Sequence, residues 1–187
     1  MKQYLFFALN LLLALEGTSQ AKGDYMWQIG QNSHPQENPY ALSMVLDFNV
    51  LGINLDTFYR GMKMGYFNAS ISDVDGKLLV YSNGCQIKNG DHSNIPETMS
   101  LSPGETDFEW CLSNPSSGYP KFEGGLFISF FSDSIILLLH QRDYVLSNPT
   151  RIITDSLFYS SVQRDGDQYV LHEKTVPIVG DNLTDGN

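Results

Sequence analysis

Five carboxylates, Glu97, Glu105, Asp107, Glu109 and Glu123, crowd one stretch that also carries Pro96, Pro103, Pro115 and Pro120. Two carboxyl groups facing each other about 5 to 10 Å apart suffice for glycoside hydrolysis, one protonating the leaving oxygen while the other attacks or activates water. A hydrolase acting on glycans would therefore hold its site in this acidic loop, over 97–123. Solvation of a surface loop is the stronger reading of the same charges. Asp73 and Asp75 stand at a spacing that hard cations favour. The EF-hand pattern, however, asks for a ligand at Ile71 and for a later Glu that the chain does not supply. Turn formation explains the pair better, and the same holds for Asp165 and Asp167 around Gly166.

The four histidines, His34, His92, His140 and His172, are dispersed. The first two fall in loops and the last two at the ends of expected strands, with no HExxH or HxH spacing for zinc. Asp91 and His92, joined by Asp73, would make a loop-side metal site, but that is the weaker reading of these residues. No G-x-S-x-G elbow marks a nucleophilic serine, and Cys85 would act as a nucleophile only if unpaired. The residues thus nominate no catalytic, cofactor or metal-binding group.

The elements that must position any site belong to an exported chain. Lys2 precedes an apolar run from Tyr4 to Leu15, and Gly17 to Ala21 offer small residues for processing, so residues 1–21 read as a signal peptide. That run is shorter than the about 20 apolar residues that span a bilayer, and no later run is longer, so the mature chain is not membrane-spanning. In an oxidising compartment the two cysteines, Cys85 and Cys111, are expected to form a disulfide. The formal charge of −10 makes nucleic acid and anionic lipid poor partners, because phosphate contacts need a basic surface.

Strand signals dominate the rest of the chain. Residues 22–41 form an extended lead-in segment, and the domain is expected over 42–187, beginning with a strand from Leu42 to Asn49. Between Val50 and Tyr66 the pattern fits either a helical turn or a short strand. Phe67, Ala69 and Ile71 alternate with Asn68, Ser70 and Ser72, a period of two that buries one face. Asp75-Gly76 turns the chain into Leu78 to Tyr81, which has no polar face and reads as an inner strand covered on both sides. Gln86 to Asn89 adds a short strand, and Gly90 to Gly124 reads as a long irregular loop. Leu126 to Phe131 with Ile135 to His140, and Leu157 to Val162 with Gln168 to His172, make two further hairpins, before a last strand at Thr175 to Val179.

Leu79-Val80-Tyr81-Ser82 and Leu157-Phe158-Tyr159-Ser160 share one pattern, each as the third strand of an expected group of four. Four antiparallel strands per repeat is the plan of a propeller blade. The fold class is therefore all-β, a partial β-propeller of about two blades, with a β-sandwich as the alternative.

The stretch FNASISDVDGKLLVYSNGCQIKN, the Pro-rich loop with Met99 and Leu101, and the later LFISFF, IILLLH, LFYSSV and EKTVPIVGDNL carry a resemblance. Together they resemble the amino-terminal propeller-like region of large secreted Bacteroidota proteins that end in a type IX secretion sorting domain. The resemblance implies further blades and a sorting domain beyond Asn187. On that basis the chain is expected to be truncated, the preferred reading, or to be a short relative that self-associates through an open sheet edge. The expected function is a non-catalytic binding or scaffold module at the cell surface or in the medium, or in the periplasm if the sorting domain is missing. Its expected partner is a surface protein or a glycan, and the hydrolase described above is the alternative.

Overall fold

The structure, a computed structural model, describes residues 25–30, 43–49, 52–58, 61–65, 67–112, 118–120, 125–147 and 150–179. The expected signal peptide, most of the lead-in segment, Glu123 and the polar tail lie outside the described residues.

The chain forms three antiparallel sheets. The first joins β1 (Met26–Gly30), β2 (Ser43–Asp47) and β3 (Asn54–Phe58) in the order β1-β2-β3. The second is β4 (Ala69–Ser72), β5 (Leu78–Ser82) and β6 (Ile87–Asn89) in chain order. The third is a four-stranded meander, β7 (Leu126–Phe130), β8 (Ile135–Ser147), β9 (Thr150–Asp165) and β10 (Gln168–Val179). All-β is thus the fold class. Among the described residues no helix is long and apolar enough to cross a membrane.

The β4–β5 hairpin forms where the alternation and the Asp-Gly pair place it, with Ala69 opposite Ser82 and Ile71 opposite Val80. Gly76 closes the turn by donating its N–H to the Asp73 carbonyl at 3.0 Å, with a φ of 88° that a Cβ would oppose. Every residue of β5 is buried. Leu79 and Val80 join a core with Phe67, Phe127, Leu138 and Val162, while Leu78 and Tyr81 join a smaller one with Met62 and Met64. A strand covered on both faces gains nothing from polar residues, which is why LLVYS carries none before its serine.

The expected first group of four strands does not form one sheet. β3, from the ambiguous stretch, pairs with β2 along its whole length, and β1, from the lead-in segment, pairs on the other side. Once both edges of β2 are taken, β4 to β6 form a separate sheet. The echo therefore falls on unlike positions: β5 is the middle of three strands, whereas β9 is the third strand of its sheet in chain order. The second group does form one sheet, but with longer strands. β8 runs through His140 to Ser147, and the expected last strand at Thr175 continues β10 across irregularities between Leu171 and Val179. His140 and His172 accordingly lie within strands rather than at their ends.

The second and third sheets are also joined by polar contacts. Buried Asn89 donates through Nδ2 to Ser93 Oγ at 3.1 Å and Gln168 Oε1 at 2.9 Å, and its Oδ1 accepts the Tyr169 N–H at 2.8 Å. Asn89→Ala is expected to destabilise by about 2 kcal/mol in urea unfolding, because it leaves a buried amide without its acceptor. An unchanged midpoint would mean that the two sheets are held by their apolar core alone.

Candidate functional site

The acidic loop is anchored from within. Its helical portion comprises α1 (Glu105–Asp107) and a π-helical turn, Phe108–Leu112, whose Cys111 forms the disulfide with Cys85. Thr106 Oγ1 donates to the Asp143 carbonyl of β8 at 3.0 Å, and Asp143 Oδ1 accepts from Thr154 Oγ1 at 2.7 Å. Asp107 is buried and accepts from Ser100 Oγ, while burial pushes its carboxyl above the usual carboxylate range. Glu97 and Glu109 are exposed. Glu123 and the side chain of Glu105 lie outside the described residues. Asp107 is therefore withdrawn from any substrate, which removes one member of the carboxylate set expected to serve hydrolysis.

Behind the loop lies a buried polar trio. Ser102 Oγ stands 3.2 Å from His140 Nδ1, and His140 Nε2 stands 2.9 Å from Ser160 Oγ, which also accepts the Thr175 N–H at 2.9 Å. Burial pulls the His140 pKa down to about 4, so at neutral pH the uncharged ring donates through one nitrogen and accepts through the other. Serine beside histidine suggests nucleophilic chemistry, but both hydroxyls are sealed from solvent. The trio ties the loop to β8, β9 and β10 instead. The neighbouring Arg142 is nearly buried and holds Asp155 through two charge-assisted bonds, which keep that carboxyl below its usual range.

Asp73 behaves as a turn residue. Asp73 Oδ1 accepts the N–H groups of Asp75 and Lys77, each at 2.9 Å. Asp73, Asp91 and Asp167 do line one depression of about 100 Å³, together with Lys77 and Arg164. His92 is engaged elsewhere: its ring stacks on Phe58 at 4.2 Å, and Nδ1 meets the Tyr81 hydroxyl at 3.0 Å. Among the described residues no three His, Cys, Asp or Glu side chains are arranged to hold a metal ion.

A cleft of about 330 Å³ lies between the sheets, walled by Trp27 and Ile29 of β1 and by Leu126 and Phe127 of β7, with Ser70 of β4 and the preceding Asn68 between them. Alternation along β1 places Trp27 and Ile29 on one face, and Phe48 meets the Trp27 ring edge-on at 5.4 Å. Ser70 Oγ donates to the Met26 carbonyl at 2.8 Å, Asn68 Nδ2 donates to that of Gln28, and the Met64 N–H reaches that of Gly30 at 3.0 Å. Two side-chain bonds and one isolated backbone bridge thus take the place of a continuous ladder on this edge of β1.

No family model, curated protein or solved structure matches the chain. The cleft is not legible in the sequence because its walls come from segments about a hundred positions apart. Trp27 and Ile29, in an otherwise polar stretch, are the local signal, and they suggest burial. Trp27 is 50% exposed.

Proposed function

We propose that the chain is a non-catalytic binding or scaffold module of an exported protein, built on a partial β-propeller. The observation that carries this reading is the difference between the two candidate regions. The acidic loop turns Asp107 and Ser102 inward, the latter onto His140 of β8, to hold itself in place, whereas the cleft keeps a half-exposed tryptophan beside polar side chains. Covering β5 on both faces, as a blade is covered by its neighbours, and the four-stranded meander β7 to β10 support the propeller plan. The Cys85–Cys111 disulfide supports export to an oxidising compartment.

Incubation with a panel of plant and bacterial glycans, read by release of reducing ends, tests the non-catalytic part. No release above the protein-free control is the expected result. Release that disappears in the Glu97→Gln/Glu109→Gln double variant would overturn the reading in favour of a hydrolase in the acidic loop.

A further inference from the structure

We infer that the cleft between β1, β4 and β7 binds a neutral saccharide, with one sugar ring resting on Trp27. This inference rests on the reading of the chain as a binding module. The three chemical features of the lining each narrow the ligand.

The described lining carries no ionisable side chain. A charged ligand entering it would lose water without gaining a counter-charge, so the cleft favours a neutral one. Trp27 offers an aromatic surface that is half exposed and steadied by Phe48, and such a surface pairs with the C–H face of a pyranose ring. Ser70 has given its proton to the Met26 carbonyl, so it presents acceptor lone pairs; Asn68, with one amide proton given to Gln28, keeps its Oδ1 and a second N–H. Groups of this kind call for hydroxyl donors. A purely apolar ligand would leave them desolvated and unpaired.

An extended peptide also brings donors, but strand addition needs backbone partners along the cleft. The β1 carbonyls that face β4, those of Met26, Gln28 and Gly30, are already bonded to Ser70, Asn68 and Met64. Along the β1 wall recognition therefore runs through side chains, which suits a sugar better than a strand. The volume of about 330 Å³ sits at the small end of ligand sites, the size class of one or two rings of a longer chain.

The test uses the Trp110→Phe chain, which leaves Trp27 as its sole tryptophan. Its emission is followed while neutral xylo-, cello-, laminari- and manno-oligosaccharides are added up to about 10 mM, with oligogalacturonate and an extended uncharged peptide as contrasts. A saturable shift with at least one neutral oligosaccharide is expected. In calorimetry, Trp27→Ala should weaken binding at least about tenfold, and Ser70→Ala about threefold. Trp27→Phe, which keeps an aromatic surface, should fall between Trp27→Ala and the parent and serves if the alanine variant does not fold. Three results would overturn the inference: no shift with any neutral oligosaccharide, affinity untouched by all three substitutions, or preference for the galacturonate or the peptide. Binding accompanied by release of reducing ends would instead overturn the non-catalytic reading and leave the cleft assignment standing.

Discussion

The Cys85→Ala/Cys111→Ala double variant is expected to melt about 10 °C below the parent chain, as followed by circular dichroism. The bridge spans a sequence separation of 26 residues, for which the loss of chain entropy in the unfolded state corresponds to about 3.5 kcal/mol. Both residues are fully buried, and their surroundings are bonded to one another: Asn83 Oδ1 accepts from the Cys85 N–H at 3.1 Å, and the Ser100 N–H donates to the Cys85 carbonyl at 2.9 Å. Alanine is the right replacement, because serine would add two buried hydroxyls without partners. The effect should also be local. Without the bridge, the helical portion is held only by the Thr106 contact with β8 and the polar trio behind it, so limited proteolysis should cut first between Ser100 and Leu112. A variant that melts with the parent and resists proteolysis there would show that the bridge constrains nothing the loop does not already fix.

Acidification from pH 7 to pH 4 is expected to remove about 3 kcal/mol of stability through His140. In the unfolded chain this imidazole takes up its proton near the ordinary value of 6.5; in the folded chain burial delays uptake to about 4. Between those values the unfolded state binds the extra proton, so the contribution is complete above pH 6.5 and is lost as the pH falls towards 4. Asp107 acts in the opposite direction. Its raised carboxyl pKa makes acid relieve a burial penalty, which partly offsets the loss. Asp155, held low by Arg142, contributes stability that disappears only below the ordinary carboxylate range, outside this window. His140→Gln separates these effects, since glutamine donates and accepts without titrating. Urea midpoints across the range should fall more steeply for the parent chain than for the variant. Parallel curves would show that His140 takes up its proton without a cost to the fold.

Local patterns are readable in the residues because they depend on neighbours. The period of two in Phe67 to Ser72, the Asp-Gly turn and the polar-free run at Leu78 yield the hairpin and its inner strand. Two cysteines behind an expected leader yield the disulfide. The strand at Asn54–Phe58 is ambiguous against a helical turn, since Ile53, Leu55, Phe58 and Met62 satisfy both spacings and every residue of β3 before Phe58 is exposed, so burial gives no direction. β8 and β9 read shorter in the sequence than they are because Gln141 to Asp143 and Thr154 to Ser156 are polar. Arg142 and Asp155 neutralise each other across the ladder, and cross-strand pairing of that kind has no signature in either strand alone.

By itself, the amino-acid order determined the strand-rich class, the turn chemistry of Asp73 and Gly76, and the pairing of Cys85 with Cys111. These follow from short-range sterics, alternation and the scarcity of cysteine. The tertiary structure decided which strands share a sheet, that Asp107 and His140 face inward, and that Trp27 stands half exposed opposite Leu126. Those outcomes depend on which segment takes an open edge first and on what then covers each face, and both are contacts between residues far apart in the chain.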